Sequence, residues 1–284
     1  MDIVTVDSHW NILAEKKYGQ DDYTVLLSAH MDTVASHPPV PKWRNNKTEI
    51  YNMAGNGALG GDDKCGIAAH LAVIREMNRG TQFTGTLKVC FSREEEIGCV
   101  GASKAVKLNP EWFEGINACI VVDRKGSDNI VESCGSWERF CSPEYSEFWA
   151  DMATKTGFMG IIQDGSISDT MIFSELGING VNLSAGYYHA HTRDEYIRID
   201  ELKRTVRWIL NGLDEIQSHQ FPSFDYEMAM ANKSWGGWTW SLKDDSTMIE
   251  CDCCLVQFPI EQMFDYHGHD VCYNCINDIK EGTI

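Results

Sequence analysis

Histidines and carboxylates recur in this 284-residue chain at the ends of apolar runs, where side chains from different segments can converge on a metal. His30 and Asp32 stand two residues apart, just after the run Tyr23-Thr24-Val25-Leu26-Leu27. If that run is a strand, both side chains project to one side. An imidazole beside a carboxylate is what a metal ligand and its orienting partner require. The pair alone is weak, because most such pairs are ordinary surface contacts, so the weight falls on what the rest of the chain supplies. Asp62-Asp63 follows a glycine-rich stretch, and Glu94-Glu95-Glu96 follows the apolar run 86–91. Asp123 ends Ala118-Cys119-Ile120-Val121-Val122, while His189 and His191 come after Gly180-Val181-Asn182-Leu183.

Pooled, His30, Asp62, Glu96, Asp123 and His191 are candidate ligands, with Glu95 and Asp32 as acids beside them. Two imidazoles and three carboxylates suit two borderline cations such as zinc, manganese or cobalt. A bridging carboxylate leaves room for a shared water, which the ions acidify for attack on an amide carbonyl. Adjacent residues point differently, so one member of the Glu95-Glu96 pair can ligate while its neighbour serves as general base. A run of glutamates is ordinarily a solvated charged stretch. Its place between an apolar strand and Ile97-Gly98 reverses that preference. His70, alone inside a helical stretch, is expected to be a packing or surface histidine.

The elements that must hold these residues follow from periodicity. Strands are expected at 3–6, 11–14, 23–27, 86–91, 118–122 and 180–183. Helices are expected at about 67–77 (with Ile67, Leu71 and Ile74 on one face), 101–107 and 143–156. Residues 165–170 form a loop opening a short helix. A last helix starts at a capping Asp200 and carries Leu202, Val206, Ile209, Leu213 and Ile216 along one stripe. Residues 36–50 hold three of the chain's seven prolines and are expected to be a loop. Strands alternating with helices point to an α/β sheet with helices on both faces. Sites in such sheets lie at the carboxyl ends of strands, where His30, Glu95, Glu96 and Asp123 all fall.

With these blocks in view, the sequence resembles the co-catalytic di-zinc exopeptidases: peptidase T and its carboxypeptidase relatives, and the bacterial leucyl aminopeptidase group. The blocks are His-Met-Asp at 30–32, Gly-Gly-Asp-Asp-Lys at 60–64, Glu-Glu-Glu-Ile-Gly at 94–98, Val-Asp-Arg at 122–124 and His-Thr-Arg-Asp-Glu at 191–195. The resemblance implies a three-layer αβα domain with a mixed central sheet. It implies that His30, Asp62 and Asp123 hold one metal and Asp62, Glu96 and His191 the other, with Asp62 bridging. Glu95 becomes the general base, Asp32 the residue orienting His30, and the Asp62–Asp63 peptide cis. His189 is the rival to His191, which is preferred because an acid, Glu195, follows it four residues on. Many relatives insert a lid or dimerisation domain after the residue matching Asp123. Here 45 residues separate Asp123 from Asp169, too few for one, so an open site closer to the single-domain aminopeptidases is expected. The resemblance also leads one to expect one or two helices ahead of the first strand. Since the strand comes almost at once, something else covers that side of the sheet or a short edge is left exposed.

Five of the eleven cysteines crowd the tail. Cys251 with Cys254 and Cys272 with Cys275 make two Cys-x-x-Cys pairs seventeen residues apart, the spacing of a zinc ribbon holding one structural zinc. The expected organisation is a catalytic domain at 1–222, a Trp-rich connector at 223–247 and a zinc-ribbon-like module at 248–284. The other cysteines read as buried thiols. A net charge of −18 disfavours nucleic acid as partner. The acidic tail favours docking on protein. No apolar run is long enough for a bilayer, and the first residues lack a signal-peptide pattern, which gives a cytoplasmic expectation. The expected function is that of a metal-dependent exopeptidase, an aminopeptidase on short peptides. The alternatives are an amidohydrolase of N-acyl amino acids and a non-catalytic scaffold acting through the ribbon.

Overall fold

The computed structural model describes residues 1–226 apart from 35, 36, 136 and 137, together with the strand segments 248–250, 257–259, 263–266 and 269–272. The strands up to residue 226 are β1 (Ile3–Val6), β2 (Ile12–Lys17), β3 (Thr24–His30), β4 (Pro41–Arg44), β5 (Glu49–Asn52), β6 (Thr86–Ser92), β7 (Ala118–Arg124), β8 (Asn129–Cys134), β9 (Glu138–Arg139), β10 (Ile161–Gly165), β11 (Asn179–Ser184), β12 (Tyr187–Tyr188) and β13 (Tyr196–Arg198). The helices are α1 (Gly61–Met77), α2 (Val100–Leu108), α3 (Pro110–Phe113), α4 (Pro143–Thr156), α5 (Asp169–Ser174) and α6 (Ile199–Ile216).

The main sheet runs β1-β2-β6-β3-β7-β11-β8-β10, with β9 paired to β8. Its centre, β6-β3-β7-β11, is parallel, while β1, β2 and the β11–β8 junction are antiparallel. The sheet is therefore mixed. Strand alternation sorts its core residues between two faces. Val25, Leu27, Ala29, Ile120 and Val122 pack with Val73 of α1, Trp149 of α4 and Trp208 of α6. Leu26, Cys119 and Val121 pack with Ala102 of α2, Phe113 of α3 and Phe173 of α5. Helices thus cover both faces, giving the three-layer αβα arrangement. Each fully buried Leu, Val or Ile contributes about 1.5–3 kcal/mol, so the central strands that end at the site are firmly anchored.

Several details depart from the sequence reading. Helix α1 begins at Gly61, not near 67, and its buried stripe runs through Cys65, Ala69, Val73 and Met77 while Leu71 is exposed. The small residues there let the helix lie close to the sheet. A Cβ at Gly66 would stand 2.1 Å from the Val122 carbonyl oxygen. In α6 the helix starts at Ile199, so Asp200 lies inside the first turn and makes no cap; the buried side extends over Glu201, Thr205 and Trp208, with Leu202 and Val206 only half-buried. The expected loop at 36–50 contains β4 and the first half of β5, which join β13 and β12 in a second, four-stranded sheet. Every residue of β4 is exposed, so no alternation marks it. The stretch between Asp123 and Asp169 builds β8, β10 and α4 onto the main domain, which leaves no lid among the described residues. Strand β1 is an exposed edge.

Residues Met1–Asn232 and Lys233–Ile284 form separate compact units. In the second, Met248–Glu250 pairs with Gln257–Pro259 and Met263–Tyr266 with His269–Cys272, both antiparallel. Cys251, Cys254 and Cys275 lie outside the described residues, as does the side chain of Cys272, and so does the expected zinc ribbon. Cys65, Cys90, Cys99, Cys119, Cys134 and Cys141 are buried as thiols. Among the described residues no helix is long and apolar enough to cross a membrane.

Candidate metal centre

The parallel strands β6, β3 and β7 lie side by side in register, His30 opposite Ser92 and Ser28 opposite Val121. Their carboxyl ends therefore present His30, the 93–96 turn and Asp123 together. Helix α1 brings Asp62 and Asp63 to the same place through a left-handed Gly60 and a cis Asp62–Asp63 peptide. The turn before β13 supplies His191.

Asp62 stands at the middle. Its Oδ1 is 2.9 Å from His30 Nε2 and its Oδ2 is 3.2 Å from His191 Nε2. Glu96 Oε2 lies 3.0 Å from His191 Nε2, and Asp123 Oδ1 lies 3.7 Å from His30 Nε2. Glu95 Oε2 sits 3.9 Å from the His30 nitrogen. Among the described residues three clusters of atoms lie close enough to hold an ion: His30 with Asp62 and Glu96, His30 with Glu95 and Asp123, and Glu95 with Cys99 and Asp169. On the far side of the ring, His30 Nδ1 is 3.3 Å from Asp32 Oδ1. Asp32 also accepts the backbone N–H groups of Glu95, at 3.1 Å, and Glu96, at 3.2 Å. It thereby ties the strand end to the glutamate turn. His189, the rival, turns away and tilts against the Tyr196 ring.

Other residues support this set. Glu195 accepts the backbone N–H groups of Gly60, at 2.8 Å, and Asp62, at 3.1 Å, which fixes the start of α1. Asp63 accepts from the His30 and Gly66 N–H groups. Tyr187 donates its hydroxyl to Asp123 Oδ1 at 3.1 Å, and Asn182 pairs with the Asp123 backbone from both sides. Asp169 accepts from the Ser92 hydroxyl, and Cys99 donates to Glu95 Oε1 at 3.5 Å. Tyr187, Asn182 and Cys99 escaped the sequence reading as site residues, since no local spacing marks their contacts with Asp123 and Glu95.

The electrostatics favour cations. Among the described residues no lysine or arginine pairs with the carboxylates around Asp62, so the two imidazoles are their only basic partners. Burial would lower His30, yet the Asp123, Asp32 and Asp62 carboxylates hold it well above the ordinary imidazole range. For His191, burial is likewise outweighed by Asp62 and Glu96, which push it up to about 11. Burial would raise Asp62, but both imidazoles hold it well below the usual carboxylate range. Burial and the neighbouring Asp62 charge push Asp123 up to about 7, and burial raises Glu95 well above its ordinary value. Glu96 Oε1 is buried with no hydrogen-bond donor. An acceptor in that state is costly unless something positive meets it. Crowded carboxylates, two imidazole nitrogens aimed at them and an orphaned oxygen are a donor set that fits divalent cations.

Residues 11–211 match the profile of Peptidase family M28, and the chain belongs to that family. Its metallopeptidases are zinc-dependent, and this chain is a metallopeptidase. A search of curated protein sequences finds no match to it. Among solved structures, aminopeptidase PepT from Bacillus cereus ATCC 10987 superposes with a TM-score of 0.64 at 17% identity, covering 76% of this chain and 89% of that one. A tripeptidase from Staphylococcus aureus subsp. aureus Mu50 gives 0.65 at 16% identity, over 76% and 89%. The TET1 peptidase of Pyrococcus horikoshii, which can assemble into a tetrahedron or a large octahedral shell, gives 0.55 at 15% identity, over 74% and 88%. Likeness at that level of identity concerns the fold.

Proposed function

We propose that the chain is a metal-dependent aminopeptidase acting on short peptides. His30, Asp62 and Asp123 would hold one divalent cation, and Asp62, Glu96 and His191 a second. The observation that carries this reading is the placement of Asp62, whose two oxygens face two different imidazoles at 2.9 and 3.2 Å. A carboxylate so placed is suited to bridge. Zinc fits the family and the ligands. When bound, such ions supply Lewis acidity toward a water and a peptide carbonyl.

The chain's own residues do the rest. Glu95, buried beside His30 but tied to no metal by the ligand scheme, takes the proton from the attacking water on its carboxylate and passes it to the leaving amine. Asp32 holds the His30 ring on one side and the Glu95 and Glu96 backbone on the other, which sets the distance between base and ligands. His191 is 42% exposed whereas His30 is 1% exposed, so substrate enters from the His191 side. The surplus of carboxylates there suits a protonated N-terminal amine.

The test compares zinc-loaded full-length protein on a short peptide with a free N-terminus, the same peptide N-acetylated, and an N-acetyl amino acid. Cleavage of the free peptide alone is expected, with activity lost on chelation and restored by zinc. Preference for the N-acetyl amino acid would assign the site to an amidohydrolase. No metal-dependent hydrolysis of any of the three would sink the enzymatic reading.

A further inference from the structure

Beside the metal centre lies a pocket of about 520 Å3, lined by Arg44, Tyr51, His189, Arg193, Glu195 and Tyr196 among others. The chain itself links it to the centre. His189, Arg193 and Glu195 flank the candidate ligand His191, and Glu195 holds the N–H of Asp62 at 3.1 Å. Its outer wall is the small sheet, where Tyr196 of β13 sits opposite Tyr51 of β5.

Two guanidinium groups face this space. Arg44 is clamped, its charge 5.1 Å from the Tyr51 ring centre and 4.9 Å from that of Tyr196. Its Nε donates to Glu49 at 2.8 Å, and its terminal NH2 groups have no acceptor among the described residues. A guanidinium held flat on aromatic faces is pre-organised to offer its remaining donors. Arg193 is exposed, and its side chain makes no hydrogen bond or ion pair among the described residues, although Asp194 lines the same pocket. The carboxylate of Glu195 is already engaged by two backbone N–H groups. The chain has 42 acidic residues against 24 lysines and arginines, and the metal centre crowds carboxylates together. Arg193, unpaired among the described residues, and Arg44, which pairs with Glu49 through Nε alone, are therefore unusual in their surroundings, and their remaining donors match a negatively charged part of a ligand.

We propose that this pocket binds a carboxylate of the peptide substrate through Arg193 and Arg44, and so selects substrates that carry one. The proposal rests on the peptidase reading of the adjacent site. Arginine pairs with carboxylate through two parallel hydrogen bonds, which fixes orientation as well as charge. Without these groups a substrate carboxylate would meet the repulsion of the acidic centre. The carboxylate has two possible sources, the C-terminus of a short peptide or the side chain of an Asp or Glu residue, and the same chemistry receives both.

The experiment measures kcat/KM of zinc-loaded full-length protein on matched peptides: a C-terminal acid against its amide, and a peptide with Glu against one with Gln. Losing a charge-assisted hydrogen bond weakens recognition by about tenfold. The wild-type chain is expected to prefer at least one charged member by about tenfold, the pair showing which source the pocket uses. Arg193→Gln should bring that ratio to within about twofold of one, and Arg44→Gln should reduce it in part. Because each ratio compares two substrates on one protein, partial unfolding of a variant cancels. Wild-type ratios near one in both pairs, or ratios that survive both substitutions, overturn the proposal while leaving the peptidase reading intact. Should the protein hydrolyse no peptide, the peptidase reading fails and calorimetric titration with the same peptides decides the pocket. Tighter binding of a charged member that Arg193→Gln abolishes upholds carboxylate binding, and equal binding of both members overturns it.

Discussion

His30 and His70 are both buried and both meet strand β3, His30 as its last residue and His70 through its Nε2, 2.8 Å from the Ser28 carbonyl oxygen. Their surroundings are opposite. His30 faces Asp62, Asp123 and Asp32, which hold its proton affinity far above the ordinary imidazole value. His70 stacks on Phe91, with one backbone carbonyl as its polar partner, and burial pushes it down to about 4. Burial alone therefore says nothing about what a histidine does. The company of carboxylates decides whether it collects positive charge or refuses it. One region of the molecule gathers groups that suit cations, and in the other the imidazole is held by packing and one carbonyl.

That contrast breaks most decisively at Glu95. If the acidic region is catalytic, Glu95→Gln should lower kcat by about 10^2- to 10^4-fold, the range for removal of a general base. The zinc content of the protein, measured by elemental analysis, should be unchanged, since Glu95 is outside the proposed ligand set. His70→Leu should leave kcat of the folded protein close to wild type. Equal loss in both variants would mean that the two regions do not differ as described.

The next test concerns stability. The His70 value of about 4 lies below the 6.5 of a free imidazole. Between those values the unfolded chain binds a proton that the folded chain refuses. The contribution of His70 is thus fully present above pH 6.5 and is lost as pH falls toward 4. Between pH 7 and pH 5 the wild type should lose about 2 kcal/mol more than His70→Leu, as read by urea unfolding at both pH values. Carboxylates of the metal centre titrate in both proteins and drop out of the difference. Equal pH dependence in the two would show that His70 is protonated in place, like His30.

How much of this was legible in the sequence follows the same line. His30, Asp123 and the glutamate turn could be found because they end continuous apolar runs, and Asp62 because it follows a glycine stretch that only a close approach explains. His70 could be set aside because a lone histidine inside a helical stretch is a weak signal for a ligand. The small sheet was not legible. Pro41–Arg44 is exposed along its whole length and carries no alternation, so its residues read as loop. Strands β8 and β10 sit toward the far edge of the main sheet, and β10 is polar and partly exposed, which hides its pattern. Tyr187 and Asn182 reach Asp123 through tertiary contacts across 64 and 59 residues. No local spacing encodes such contacts. Pairing of distant segments, then, was what the sequence withheld, while strand ends and their chemistry were plain.

The smallest expected effect lies at Asp32, where the acidic region can be weakened without removing any proposed ligand. Asp32 is under pressure from burial, yet its contact with His30 and the two backbone N–H groups of Glu95 and Glu96 hold its carboxyl below the usual range. In Asp32→Asn the side chain keeps its size and one acceptor oxygen. The other position becomes an NH2 group, a donor facing either His30 Nδ1 together with the Glu95 N–H or the Glu96 N–H. Against the N–H it repels and loosens the glutamate turn. Against His30 it removes the negative partner that favours Nδ1–H and leaves Nε2 free to ligate. Either arrangement loses what the carboxylate supplied. Partners that orient a ligating histidine typically account for 10–100-fold in metal affinity or activity. Zinc affinity, measured by competition with a chelator, should fall by about that factor in Asp32→Asn. The urea stability of the metal-free protein should change little by comparison, because Asp32 is partly exposed and its hydrogen bonds are few. The opposite pattern, unchanged zinc affinity with a large loss of metal-free stability, would make Asp32 a fastener of the fold and would place His30 nearer to His70 in kind.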